Sequence, residues 1–299
     1  MFRSMIHALA SEQSDTQTAT LSSAGIATLP TVTPKRAGGL SIVGIIMTIT
    51  ANMTQSAAAN WTVGSLIKEM VIKKGANKQI DINGEDQLEK VFHLLTGLPI
   101  GATFNTGAPT YFSNPTSAGA AGASAETETV FLPVHFRTDV VPQITLTVNG
   151  YSTITNGTGG TVSFQVEYLY SNMPVSDDLI KIVTAPSALN SATDINVAQY
   201  FSEAKPVNEV WIEVPSDAAL SYQSYEVGQT TVYKAETATS LSFQEDILPT
   251  YSHISGFFKS RMKPNTVFPT TGSNANSPQL ILNLATSQTP TFYLVLASQ

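Results

Sequence analysis

The chain has 299 residues, of which 42% are hydrophobic and only 12% charged, with a formal net charge of −7 and no cysteine. The hydrophobic share excludes a wholly disordered chain, the acidic balance excludes wholesale attraction to a phosphate backbone, and the missing cysteines exclude a disulfide framework, a thiolate nucleophile and Cys-ligated zinc. Charged residues run at about half the ~25% of ordinary soluble domains, and Ser, Thr, Asn and Gln supply the polarity instead. Such a surface suits a protein whose flanks are covered by neighbours.

In chain order, Phe2, Met5, Ile6 and Leu9 fall at i, i+3, i+4 and i+7. The spacing predicts a short amphipathic helix with Arg3 and His7 beside its apolar stripe, able to touch a membrane surface or a partner subunit, or to pack on its own domain. The segment lacks the long apolar run of a secretory signal and reads as mature sequence. No stretch approaches the roughly 20 apolar residues of a membrane-spanning helix. Residues 11–39 are rich in Ser, Thr, Ala and Pro and end in Pro34-Lys35-Arg36-Ala37-Gly38-Gly39. They read as an arm or linker, so residues 1–39 form an N-terminal arm with a short amphipathic helix.

A first β-domain is expected over 40–172. Leu40 to Ile49 is rich in β-branched residues and reads as a buried or half-buried strand. Leu66 to Lys73 and Lys78 to Ile82 flank the turn Lys74-Gly75-Ala76-Asn77 and predict a hairpin. Glu85 to Thr96 follows as a helix, with Leu88, Val91, Phe92 and Leu95 on one face, acids in the first turn, Asn83 as cap and Gly97 after the last turn. Gly101 to Ala125 is rich in Gly and Ala and is expected as an exposed excursion. Val130 to Phe136 then resumes the sheet.

A second β-domain is expected over 173–299, opening on the turn Met173 to Asp178. Ile180 to Val183, Glu209 to Val214 and Thr230 to Lys234 read as strands, and Leu241, Phe243, Ile247 and Leu248 mark a second flanking helix. Short strands, Gly/Asn/Pro turns and few helices argue for two antiparallel sandwiches or barrels.

One pattern occurs twice. Pro142 to Val148 followed by Thr161 to Tyr168 is echoed by Pro278 to Leu284 followed by Thr291 to Leu296. Each copy is a pair of apolar alternations, and two copies imply two similar β-domains in tandem.

Three stretches resemble the double jelly-roll major capsid proteins of tailless icosahedral viruses with an internal membrane, a lineage that includes tectivirus-like and corticovirus-like phages and the adenovirus hexon. They are the hairpin Met70 to Ile82 running into the helix Glu85 to Thr96, Leu132-Pro133-Val134-His135-Phe136 leading to Val140 to Tyr170, and Ser277 to Leu284 leading into Thr291 to Leu296. The resemblance implies an all-β subunit of two tandem eight-stranded jelly rolls with short flanking helices. It implies a homotrimer of pseudo-hexagonal outline that tiles an icosahedral shell beside neighbouring capsomers, penton and minor capsid proteins. It implies a virion location, with assembly in the host cytoplasm. It also turns the N-terminus toward the viral membrane, which makes Phe2, Arg3, Met5, Ile6, Leu9, Lys35 and Arg36 the candidate membrane-proximal residues.

Chemistry-bearing motifs are few. No Gly-x-Ser-x-Gly elbow, His-Glu-x-x-His, phosphate-binding loop or dinucleotide fingerprint occurs, so no catalytic residue, enzyme activity or cofactor is expected. Asn156-Gly157-Thr158-Gly159-Gly160 reads as a hairpin loop. Asp81 to Glu85 imitates a calcium loop, but Phe92 stands where its bidentate Glu belongs. His7, His93, His135 and His253 lack ligand spacing and leave the metal question open. Asp177-Asp178 and Glu245-Asp246 form a carboxylate pair only through tertiary approach. Asn52, Asn60 and Asn156 begin formal glycosylation sequons. The competing reading is a secreted β-sandwich adhesin or carbohydrate-binding module, with Trp61 and Trp211 as a sugar platform; the absence of an export signal favours the capsid subunit.

Overall fold

The alternation of apolar and polar residues in the middle of the chain builds one long antiparallel pair. A computed structural model describes residues 10–35, 39–97, 116–117, 122–201, 205–228, 230–235, 254–269 and 277–297. The chain divides into two units, Met1–Asp177 and Asp178–Gln299.

The first unit contains β1 (Ala10–Gln13), β2 (Gln17–Thr20), β3 (Ala27–Thr28), β4 (Ser41–Gln55), β5 (Asn60–Trp61), β6 (Ile67–Lys74), β7 (Asn77–Asn83), α1 (Gly84–Thr96), β8 (Thr116–Ser117), β9 (Gly122–Leu132), β10 (Phe136–Arg137), β11 (Pro142–Val148) and β12 (Gly157–Ser171). One sheet is centred on β4 and β12, which pair from Gln55↔Gly157 to Ser41↔Ser171. β9 and β10 line the free edge of β4, while β1 and β2 line that of β12. The other sheet runs β3–β11–β6–β7. Successive strand side chains point to opposite faces. Ile45, Met47, Ile49, Ala51 and Met53 of β4 and Val162, Phe164, Val166, Tyr168 and Tyr170 of β12 are therefore buried together. Ile144 and Leu146 of β11, Met70 and Ile72 of β6, and Ile80 and Ile82 of β7 supply the buried residues of the second sheet.

The second unit contains β13 (Leu179–Thr184), β14 (Asp194–Asn196), β15 (Val207–Glu213), β16 (Leu220–Val227), β17 (Thr230–Ala235), β18 (Phe257–Lys259), β19 (Pro278–Leu284) and β20 (Thr291–Leu296). Its sheets are β13–β20–β15–β18 and β14–β19–β16–β17. Val210, Ile212, Phe292 and Leu294 from the first pack with Tyr225, Leu280, Leu282 and Leu284 from the second. Phe201 closes this core edge-on against Phe268 at 5.2 Å and Phe292 at 5.4 Å between ring centroids.

The repeated motif acquires its meaning here. β11 lies between β3 and β6 of one sheet and β12 in the opposite one; likewise β19 lies between β14 and β16, and β20 between β13 and β15. Each copy is a strand pair that crosses from sheet to sheet.

Four expectations are corrected. Residues 11–39 do not stay outside the core: β1 and β2 complete the edge of β12, β3 and Val32 pair with β11, and Leu21, Leu29 and Val32 are buried. An unpaired edge of β12 would leave backbone donors and acceptors unmet, and these short stretches meet them. Gly122 to Ala125 belongs to β9, paired with β4. Gly157 to Gly160 opens β12 instead of forming a hairpin; a Cβ on Gly160 would stand 2.7 Å from the Asn52 carbonyl oxygen, so its glycine serves close strand approach. Asn83 occupies the N-cap position of α1 as expected, but its side chain makes no capping bond; instead its backbone N–H donates to Gln87 Oε1 at 2.8 Å. The expected N-terminal helix, the helix over 241–248, and Arg36, His7, His253, Glu245 and Asp246 lie outside the described residues.

α1 packs along β6 and β7 with Leu88, Val91, Phe92 and Leu95 buried, and it ends on Gly97 in the left-handed region (φ 69°), whose N–H reaches the His93 carbonyl at 2.7 Å. Its polar face stores a charge conflict. Burial, with the neighbouring Glu85 and Asp86 carboxylates, pushes Glu89 up to about 7, against a smaller opposing pull from Lys90. A carboxyl whose folded value is raised holds its proton more tightly when folded, so stability is greatest below the ordinary value of 4.5 and falls as pH rises toward 7. Glu89→Gln should remove that decline, stabilising the protein by about 1 kcal/mol at pH 8 once solvent screening of this half-buried group is allowed for. Urea unfolding at pH 5 and pH 8 checks it: an unchanged pH 5 to 8 difference in the variant rejects the assignment.

Candidate functional site: outer faces and buried ion pairs

From Thr48 to Asn52 of β4 the outward residues of the β2–β12–β4–β9 sheet are hydroxyl, amide or alanine, and the next rung of the same face is Glu167, Ile46 and Phe131. In register the hydroxyl, amide and alanine positions form rungs across the strands: Thr20, Thr161, Asn52 and Ala125; then Thr18, Ser163, Thr50 and Thr127; then Gln165, Thr48 and Thr129. Thr50 and Thr127 hydroxyls lie 2.9 Å apart across the pair. The positions of these hydroxyl-rich rungs are half-buried or exposed, and none of them carries a charge.

The sheet of the second unit that holds β20 is built differently. Its face opposite the core is a covered layer, with Trp211, Phe257 and Tyr293 at most 1% exposed and Glu209, Glu213 and Lys259 half-buried around them. Trp211 stacks on Phe257 at 5.1 Å and Phe257 meets Tyr293 edge-on at 5.2 Å. Lys259 Nζ sits 2.8 Å from Glu209 Oε1 and 5.7 Å from the Trp211 ring centroid, and Trp211 Nε1 donates to Glu209 Oε2 at 3.2 Å. Burial alone would raise the Glu209 carboxyl, but the Lys259 charge and these hydrogen bonds hold it below the ordinary carboxylate range. On the other sheet, Asp194 accepts from the Tyr222 hydroxyl and from Asn283 Nδ2 at 2.7 Å, while Lys234 lies 4.6 Å from the Tyr222 ring centroid. The Asp194 bond, helped by burial, pushes the Tyr222 phenol up to about 12.

A third cluster lies at the end of the first unit. Lys74 Nζ is buried and stands 2.8 Å from both Asp139 Oδ1 and Asp177 Oδ2. Asp177 Oδ1 also accepts the Arg137 backbone N–H at 2.7 Å, with the Arg137 guanidinium 3.6 Å from Asp177 Oδ2.

Of the candidate membrane-proximal residues, only Lys35 is described. Its ammonium meets Asp15 at 3.1 Å in an exposed pair, and its backbone N–H donates to Glu12. Such an exposed pair contributes about 0–1 kcal/mol. Trp61 and Trp211 are both buried, so neither presents an indole to a sugar. Asp177 is committed to Lys74, His93 is buried in α1, and His135 is half-buried near β10. Among the described residues no group of three or more His, Cys, Asp or Glu is placed to hold a metal, and no helix is long and apolar enough to cross a membrane. Sequence reasoning missed the Lys74 cluster and the hydroxyl rungs. The rungs had a visible signal, the alternation Thr48, Thr50, Asn52, Thr54; Lys74 had none beyond its place in a turn.

No protein-family model matches the sequence, and no curated protein does either. Solved structures do match along nearly the whole chain. The STIV MCP aligns with a TM-score of 0.62 at 13% identity, covering 96% of this chain and 96% of that one. PBCV-1 VP54, fitted into a reconstruction of the virophage Sputnik, aligns at 0.56 and 10% identity, covering 99% and 96%. The major capsid protein P2 from bacteriophage PM2 aligns at 0.50 and 10% identity, covering 95% and 99%. The fold is a double jelly roll. In this double jelly roll the repeated strand pair marks the same crossing in each roll.

Proposed function

We propose that this double jelly roll is the major capsid subunit of an icosahedral virus. Three chains make a pseudo-hexagonal capsomer, which tiles a shell over an internal membrane beside penton and minor capsid proteins. The observation that carries the reading is the end-to-end correspondence of a two-roll chain with the STIV MCP, 96% of each chain being covered. A low-charge, hydroxyl-rich surface supports it, because crowded neighbours then meet without strong like-charge repulsion. The role is structural and not enzymatic, and the virion is its location. Phe2, Arg3, Met5, Ile6, Leu9, Lys35 and Arg36 form the membrane-facing end, motivated by local basic and amphipathic character in an acidic chain.

Light scattering on the purified full chain tests the assembly. The expected mass is about 95 kDa, three times the 31.8 kDa chain, with hexagonal outlines in negative stain. A monomer at all concentrations would reject the capsid reading. In the same preparation the trimer should float with anionic vesicles, and a chain lacking residues 2–10 should stay trimeric but remain at the bottom of the gradient. Equal flotation of both would remove the membrane assignment alone.

A further inference from the structure

We infer that α1 is a proton-operated latch, closed on the turn Gly64–Leu66 while Glu85 and Glu89 carry protons and released as both ionise. The device belongs to the single chain and stands apart from the assembly reading above. Leu88, Val91, Phe92 and Leu95 are the buried apolar residues of the helix, which packs on β6, β7 and the Gly64–Leu66 turn. Glu85 and Glu89 lie one turn apart on the same side of the helix, and both are half-buried. A Cβ on Gly64 would stand 2.2 Å from the Glu85 carboxyl carbon, so the carboxyl rests against a residue whose missing side chain leaves room for it.

These two carboxyls meet more negative than positive charge. Burial and then Asp86 push Glu85 up, while burial and then Glu85 and Asp86 push Glu89 up to about 7. Lys90, the cation that pulls Glu89 the other way, stands 2.8 Å from Asp86. The Gly64–Leu66 turn brings no ionisable side chain. On β6 and β7, Lys74 is engaged by Asp139 and Asp177, and Lys78 by Asp81 and Glu69. Those groups, with Lys68 and Lys73, take no part in setting either carboxyl.

Both carboxyls hold their protons more tightly in the closed latch than in water. Closure is therefore favoured below the ordinary value of 4.5 and lost as pH rises toward about 7. Ionisation then leaves two half-buried carboxylates beside Asp86, and moving the helix off the Gly64 turn returns them to water. The ends of the helix can act as hinges. Gly84 and Gly97 both lie at positive φ, 78° and 69°, and a Cβ on Gly84 would meet nothing within 4 Å. The bonds from the Asn83 N–H to Gln87 and from the Gly97 N–H to His93 are local, so they travel with the helix. In the capsid reading, and resting on it, such a subunit is firmest in acid and loosens in a neutral medium.

Hydrogen exchange on the full chain at pH 5 and pH 8, corrected for intrinsic rates and repeated in low urea, tests the latch. Amides of Val91, Phe92 and Leu95 should lose about tenfold in protection at pH 8, and exchange there with little urea dependence because the opening is local. Amides of Ile49 and Phe164 in the β4–β12 pair should keep the steep urea dependence of global unfolding. The double variant Glu85→Gln/Glu89→Gln should be equally protected at both pH values. Gly64→Ala changes no charge but puts a methyl group where the Glu85 carboxyl sits, and it should shrink the pH effect to about threefold or less. Helix amides as steeply urea-dependent at pH 8 as those of the β4–β12 pair would overturn the latch, because α1 would then leave only with the whole unit. A pH effect that persists in the double glutamine variant would overturn it too. Neither result depends on whether the chain forms a trimer.

Discussion

Replacing Trp211 with alanine should lower the unfolding free energy by about 3–5 kcal/mol, the usual cost of emptying a buried tryptophan site. The indole is 1% exposed and lies on the face of its sheet away from the main core of the second unit. Its loss opens one side of Phe257, which stacks on it at 5.1 Å and in turn supports Tyr293. It also takes from Glu209 one of the hydrogen bonds that keep that carboxylate ionised. Trp211→Phe separates these parts: an aromatic ring remains, the indole N–H is lost, and the expected cost is about 1–2 kcal/mol for one charge-assisted bond and a partly filled site. Both substitutions remove the second unit's one tryptophan and leave Trp61 in the first unit, so the unfolding of the second unit is followed by circular dichroism and Trp61 fluorescence serves as a control for the first. Urea titration with unchanged slope and a lowered midpoint is the expected result. A cost below 1 kcal/mol for Trp211→Ala would mean that the aromatic layer is not packed.

Elements whose signals are local were legible in the sequence, and those created by distant pairing were not. The β6–β7 hairpin and α1 are announced by a turn glycine, an acidic first turn and a 3.6-residue apolar period, all within about 15 residues. β4 from Ile45 to Gln55 and β12 from Thr161 to Tyr170 alternate because one face is buried and the other is half-buried or exposed, whereas Ser41 to Ile45 is buried on both faces. By contrast, β1 and β2 are Ser/Thr/Gln-rich tetrapeptides that become strands only because β12 offers an edge. β14 is three residues long and exists through its pairing with β19. β16 reads Leu-Ser-Tyr-Gln-Ser-Tyr-Glu-Val, with polar residues Gln223 and Ser224 buried, so its period is masked. The functional surface divides the same way. The hydroxyl alternation of β4 was visible as a pattern, but its alignment depends on register across 77 residues to Thr127 and 113 to Ser163.

Lys74→Met should cost about 2–4 kcal/mol, more than any exposed ion pair in the chain. Removing one partner of a buried pair strands the other charge, which typically costs about 3–5 kcal/mol. The expectation is set slightly lower because Asp177, with 14% of its side chain exposed, keeps the Arg137 N–H and guanidinium, and because Asp139 is 54% exposed. Asp139→Asn should therefore cost less than 1 kcal/mol, as exposed partners do. Asp177→Asn should fall between the two. The pH dependence has a definite sign. The Lys74 hydrogen bond, with a backbone N–H from Val140 and nearby positive charge, holds Asp139 below the ordinary value of 3.8. A depressed carboxyl contributes stability above its unfolded value and loses it as pH falls through the folded one. The gap between the natural chain and Lys74→Met should thus be full at pH 7 and shrink below about pH 4. Asp177 is the last residue of the first unit, so this lysine ties the departing chain to β6. Guanidinium unfolding of the three variants at pH 7 and pH 3 decides the matter. Equal costs for Lys74→Met and Asp139→Asn would show that the lysine charge is served by solvent and not by Asp177.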